Sequence, residues 1–236
     1  MIYASISLWK KQFYTEQEIN WLLFELSLQN AYPIGLFLPG CANLSAALHV
    51  AANLVRGEGH KRVLVVTTDK VMPGLSENRI MGPDISVLND AAGSCLVSPE
   101  GTGEFDLLAI AQHSAPQMWD LDRQSNLPAF LVGTIHGAKH VTNRVLTAAG
   151  IPASKVKCLI TNNYNLPVMK TLARICGFNE DQTYLHNVSR FAHGYAADTL
   201  INLYDHIKEV PAVRGDSYFL LGTGHKNWGG VLLSKT

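Results

Sequence analysis

The sequence predicts an α/β fold, on three observations. Strand-like and helix-like segments alternate along the chain, several strands are continuous apolar runs, and the order in the first half recurs in the second. With 236 residues, 47% of them hydrophobic and 16% charged, the chain is long enough for one large domain or two fused halves sharing a core.

Residues 1–7 are apolar and strand-prone. Thr15-Glu-Gln-Glu18 has the form of a capping box opening a helix to about residue 28. A short strand at 34–38 ends at Pro39-Gly40. Beyond it Leu44, Ala47, Leu48, Ala51, Leu54 and Val55 fall at helical spacing until Gly57. Strands follow at 62–68 and 93–98. The second half gives a strand at 156–161, helices at 166–176 and 194–207, and strands at 217–221 and 230–233. Cys41 and His193 each open a helix that a polar turn and a strand follow. If the halves are related by a pseudo-twofold axis, those two helix starts converge, and chemistry is expected there.

Nineteen basic residues balance nineteen acidic ones, which removes the electrostatic case for nucleic acid or an anionic membrane. No apolar run approaches the roughly 18 residues of a membrane span. Residues 1–8 lack the pattern of a signal peptide, so a cytoplasmic location is expected. The four cysteines (Cys41, Cys95, Cys158, Cys176) form no Cys-x-x-Cys pair, so each reads as a free thiol, with no metal site suggested.

Cys41 follows Pro39-Gly40 at a strand-to-helix elbow, where exposed backbone N–H groups and the positive helix end favour a thiolate. Buried packing as a small hydrophobe is the other use of such a cysteine. His193, in Arg190-Phe-Ala-His-Gly-Tyr-Ala-Ala197, is placed to act as a general base or to cap a helix. Gly222-Thr-Gly-His-Lys-Asn-Trp-Gly-Gly230 offers either an oxyanion N–H or an ordinary hairpin. Asn162-Asn163-Tyr164-Asn165 ends a strand, where open α/β sheets bind ligands.

Taken in order, these segments resemble the ketoacyl-ACP synthase III family of the thiolase superfamily. Gly40-Cys-Ala-Asn-Leu-Ser-Ala-Ala47 is similar to its nucleophile segment, and Val63–Asp69 to the following strand. Asn89-Asp-Ala-Ala-Gly-Ser94 resembles its glycine-rich turn, and Gly222 to Gly229 its C-terminal glycine loop and Trp-Gly pair. The resemblance implies a thiolase-like fold of two pseudo-symmetric βαβ halves in layered α/β/α arrangement, divided as residues 1–104 and 105–236. It implies that Cys41 takes an acyl group from a CoA or acyl-carrier-protein thioester, with the N–H groups of Cys41 and Gly224 as the oxyanion hole. Such an acyltransferase passes the group on by condensation or by ester or amide formation, in fatty-acid, polyketide or related secondary metabolism. The thioester is a substrate, and no cofactor is implied.

The sequence departs from the family at the dyad. Asparagine (Asn162) stands where the family has its histidine, and His193 where it has its asparagine, so the pair looks exchanged. Asn162 is then expected to orient substrate, with Asn163, Asn165 and His225 as substrate-binding candidates. The resemblance also implies a homodimer or heterodimer through the strand at 34–38. The family's first strand and helices, that strand central in its N-terminal sheet, have no counterpart here. The chain thus reads as a fragment, a mis-assigned start or half of a split protein. The competing reading is a catalytically impaired partner subunit of a thiolase-fold complex.

Overall fold

The computed structural model describes residues 1–6, 12–71, 79–82, 85–121 and 126–236. Two four-stranded sheets organise it. The first takes its strands from β1 (Ile2–Ala4), β2 (Ile34–Leu36), β3 (Val63–Asp69) and β6 (Ala91–Val97), in the order β2-β1-β3-β6. A two-stranded hairpin of β4 (Ile80–Gly82) and β5 (Ser86–Val87) precedes β6. The second sheet comprises β7 (Phe105–Ser114), β8 (Cys158–Thr161), β9 (Ser217–Thr223) and β10 (Asn227–Lys235), in the order β7-β10-β9-β8. In each sheet a parallel pair, β1–β3 or β8–β9, continues into an antiparallel partner, β6 or β10.

The helices are α1 (Gln12–Glu25), α2 (Asn43–Glu58), α3 (Leu127–Ala149), α4 (Leu166–Ile175), α5 (Val188–Phe191) and α6 (Asp198–Glu209). One core joins the sheets through α2 and α6: Leu44, Ala47, Leu48, Ala51 and Val55 of α2 and Leu203 of α6 meet Ile2 and Val65 on one side and Ile160 and Leu220 on the other. A second core lies on the opposite face of the second sheet, where Phe130, Val141 and Val145 of α3 and Leu172 of α4 cover Leu159, Phe219 and Leu221. Strand residues alternate between these cores, Leu159 and Phe219 facing one, Ile160 and Leu220 the other. Burial on both faces is why these strands read as unbroken apolar runs.

Several expectations need correction. Thr15 and Glu18 lie inside α1, which begins at Gln12, so they do not open the helix. Residue 7, the end of the predicted first strand, lies outside the described residues. β1 pairs directly with both β2 and β3, so its backbone groups are not left unpaired. Strand β7 and the 23-residue α3 were not predicted. The helix expected at 194–207 starts at Asp198, because the preceding residues form a single tight turn, Tyr195–Ala197.

Candidate active site

Cys41 sits in a single helical turn, Gly40–Ala42, that leads into α2. Gly40 has φ +60, a left-handed conformation that glycine adopts without strain. The elbow rests on the β9–β10 hairpin so closely that side chains are excluded. A Cβ on Gly224 would lie 2.7 Å from the Pro39 carbonyl, and one on Gly229 only 1.7 Å from Ser45 Oγ. Glycine at these two positions sets how far the elbow can descend into the second sheet.

His193 comes from the other half. Its N–H donates to Val87 O (2.9 Å) and its carbonyl accepts from Asn89 N (2.8 Å), stitching it to the segment that enters β6. Its neighbours are strained: Ala192 has φ 54, ψ −145 and Tyr195 has φ 57. The Ala192 conformation is nearly restricted to glycine. Thus held, the imidazole brings Nε2 to 3.4 Å from Cys41 Sγ. The predicted meeting of Cys41 and His193 is observed, but His193 lies in the loop before α6 and does not itself open a helix.

Behind the ring stands Asp198, the first residue of α6 and fully buried. Its carboxylate accepts from His193 Nδ1 (2.6 Å), Gly194 N (2.6 Å), Asn163 N (2.9 Å) and Asn163 Nδ2 (3.3 Å). Burial by itself opposes charge on His193. The charge of Asp198, then that of Cys41, and hydrogen bonds to both outweigh it, and the imidazole is pushed up to about 10. The arrangement places a thiol, an imidazole and a carboxylate in line.

The other thiols differ. Burial raises Cys95 and Cys158 to about 12 and Cys176 to about 11, whereas Cys41 opens onto a cavity of about 640 Å³. Phe37, Leu38, Met81, Phe130, Leu131 and Leu172 make that cavity largely apolar. His193, Gly224 and His225 also line it, His225 standing edge-on to Phe130. Among the described residues, no group of three or more His, Cys, Asp or Glu side chains is placed to hold a metal ion.

Four of the seven predicted site residues therefore meet at the cavity, and three do not. Asn162 is fully buried: its Nδ2 donates to Tyr195 O (2.8 Å) and its Oδ1 accepts from Thr223 N (2.8 Å). It ties the histidine segment to β9 and does not line the cavity. Asn163 is spent on Asp198, and Asn165 caps α4 by accepting from Val168 N (3.2 Å). Gly224 lines the cavity, but its N–H donates to Asn227 O (2.7 Å), closing the hairpin, so the expected oxyanion donor is already engaged. Sequence reasoning missed Asp198; its signal was a lone acid five residues after His193 at a helix start. It also missed Tyr164, whose ring lies 5.2 Å from that of His193 and whose OH donates to Thr223 O (2.8 Å).

A helix-borne cysteine facing a histidine between two related α/β halves defines a thiolase-fold protein, and solved structures agree. The chain superposes on the 3-oxoacyl-(acyl carrier protein) synthase III of Pseudomonas aeruginosa PAO1 with a TM-score of 0.80 at 18% identity, over 99% of this chain and 76% of that one. On the acyltransferase ChlB3 the TM-score is 0.81 at 17% identity, again over 99% and 76%. Family models for 3-oxoacyl-[acyl-carrier-protein] synthase III match residues 39–116 and, for its C-terminal part, residues 146–235. The chain belongs to the 3-oxoacyl-[acyl-carrier-protein] synthase III family. The β-ketoacyl-[acyl-carrier-protein] synthase III of Aquifex aeolicus (strain VF5) is 24% identical over 203 residues, 82% of this chain and 64% of that protein. No described helix is long and apolar enough to cross a membrane.

Proposed function

We propose that this protein is an acyltransferase that loads an acyl group from a CoA or acyl-carrier-protein thioester onto Cys41 and delivers it to an alcohol or amine. The observation that carries the reading is the Cys41–His193–Asp198 line, with its 3.4 and 2.6 Å contacts. Cys41 Sγ attacks the thioester carbonyl while His193, as imidazolium, protonates the departing thiol. The acceptor then enters. His193, now neutral, removes its proton, the new ester or amide bond forms, and the Cys41 thiolate leaves. Asp198 holds the ring with Nε2 toward the sulfur and stabilises the imidazolium in both steps. The Cys41 N–H, at a helix start, is the donor we assign to the oxyanion. The reading needs neither a metal nor a redox cofactor.

Carbon–carbon condensation is the less favoured outcome. Decarboxylating a malonyl thioester calls for two donors on its carbonyl oxygen. Asn162, the second candidate, has both ends of its amide committed to backbone partners. The apolar lining suits an uncharged acyl chain. A dimer through β2 fits the same reading: that strand is a sheet edge, and Tyr32 and Leu38 beside it are 81% and 73% exposed.

The test is intact-protein mass spectrometry after incubation with acyl-CoA and acyl-carrier thioesters, followed by added alcohols and amines. An adduct that is absent in Cys41→Ala, slowed in His193→Ala and discharged by a heteroatom acceptor supports the reading. No adduct from any donor, with folding confirmed, overturns it in favour of the partner-subunit reading.

A further inference from the structure

Asp198 is one end of a longer arrangement. On α6, Asp198, Asn202 and Asp205 lie four and three residues apart and so share a face. Asn202 Nδ2 donates to Asn163 Oδ1 (2.8 Å), and Asn163 Nδ2 donates to Asp198. In the other direction Asn202 Oδ1 accepts from Asn187 Nδ2 (3.0 Å), and Asn187 Oδ1 accepts from Arg190 Nη1 (2.8 Å). Asn163, Asn187 and Asn202 are at most 1% exposed, whereas the Arg190 side chain is 57% exposed.

The direction of this chain is unambiguous. Arg190 can only donate, and both Asp198 oxygens accept, one from Asn163 N and the other from Gly194 N. Between them two of the three amides are oriented by a second partner: Asn187 Nδ2 also donates to Asp205 Oδ2 (2.9 Å), and Asn202 Nδ2 to Thr161 O (2.9 Å). Three amide dipoles therefore run head to tail, each presenting N–H toward the catalytic carboxylate. In a buried chain successive hydrogen bonds polarise one another, so the last donor is strengthened. Three buried asparagines are costly to satisfy unless every group is paired, and here they are.

We infer that Asn163, Asn202 and Asn187 are positioning residues that hold Asp198 in place beneath His193, with Arg190 as the surface end of the chain. This rests on the proposed role of Cys41 and His193, and it specifies what sets that couple. Asn163, with two N–H donors on the carboxylate, fixes its plane. Asn202 fixes Asn163, and the guanidinium orients Asn187. The groups facing this chain that titrate or carry charge are His193, Asp198, Asp205 and Arg190, with the Tyr164 and Tyr195 rings against His193.

The experiment measures two rates on Asn202→Leu, Asn163→Ala and Arg190→Gln: Cys41 acylation, split into maximal rate and donor concentration dependence, and Cys41 alkylation by iodoacetamide. The second rate does not depend on the protein being an acyltransferase. A wild type that alkylates rapidly but never acylates would fail the functional reading and still test this one. Proton NMR of the His193 Nδ1–H resonance accompanies both. The expected result is a roughly 10- to 100-fold loss of maximal rate for Asn202→Leu and Asn163→Ala, by analogy with the loss of groups that orient a ligating side chain. Donor concentration dependence stays unchanged, and the Nδ1–H resonance shifts. Arg190→Gln, an exposed substitution that spares the core, shifts the same resonance and slows both reactions by about two- to threefold. Folded variants with wild-type rates and an unmoved resonance overturn the inference. If the buried variants do not fold, Arg190→Gln decides alone: no change in rate or resonance refutes the chain.

Discussion

The two segments that meet at the cavity, the Cys41 elbow and the His193 loop, are built by opposite means. At Cys41 the elbow is a matter of close approach: glycines in the β9–β10 hairpin let backbone descend on backbone, and the one left-handed residue, Gly40, bears no strain. At His193 the segment is held by buried polar bonds, and its left-handed residues are Ala192 and Tyr195. The comparison teaches that Cys41 is positioned by space and His193 by hydrogen bonds. The two sides should therefore fail differently when altered.

The largest expected effect lies on the base side. Asp198→Asn is expected to cut the acylation rate by roughly 10²- to 10⁴-fold, because an amide can hold the wrong tautomer of His193. Single-turnover kinetics with an acyl-CoA would measure it. A loss of less than threefold would break the claim that the base is set by hydrogen bonds. On the nucleophile side, Gly229→Ala is expected to cost stability, about 1–3 kcal/mol or more, as the new methyl meets Ser45 Oγ. Denaturant unfolding would show a lowered midpoint, and Ser45→Ala in the same chain should restore part of it.

A pH effect follows from the raised imidazole. Burial opposes the charged ring, but Asp198 and Cys41 prevail, so His193 sits at about 10 in the folded protein against about 6.5 in an unfolded chain. The folded state thus holds this proton more tightly. Its contribution is complete below about pH 6.5 and is lost as pH rises through about 10. The Tm should fall across that window, and His193→Gln should flatten the fall. The smallest effect is also the sharpest. Ala192→Gly should stabilise the protein by about 1 kcal/mol, since φ 54, ψ −145 suits glycine. An unchanged or lowered Tm would remove strain from the account of the base side.

What was legible in the sequence divides along the same line. Cys41 could be read because its turn leads directly into α2, a local feature with a local physical meaning, whereas the helix expected to open at His193 begins five residues later, at Asp198. The parallel strands could be read because burial on both faces leaves an unbroken apolar run. Asn162 and Asn163 could be located but not interpreted, because an amide at a strand end serves ligand or scaffold equally well. Only tertiary partners such as Thr223 and Asp198 decide between these uses. Helix α3 was missed because Gly133, Gly137 and several β-branched residues dilute its helical pattern. Gly137 is there for a distant reason: a Cβ would lie 2.3 Å from the Trp228 ring. Asp198 needed the fold to bring it under His193, since a lone acid at a helix start is ordinarily a favourable end charge.

The central claim is that His193, backed by Asp198, activates Cys41 alone among the four cysteines. The most direct test is the rate of iodoacetamide alkylation at neutral pH, resolved by residue with peptide mass spectrometry. The account predicts that Cys41 reacts faster than free cysteine, that His193→Ala abolishes the advantage, and that Cys95, Cys158 and Cys176 stay unmodified in the folded protein. Alkylation of Cys41 no faster than free cysteine, or equally fast in His193→Ala, would contradict it.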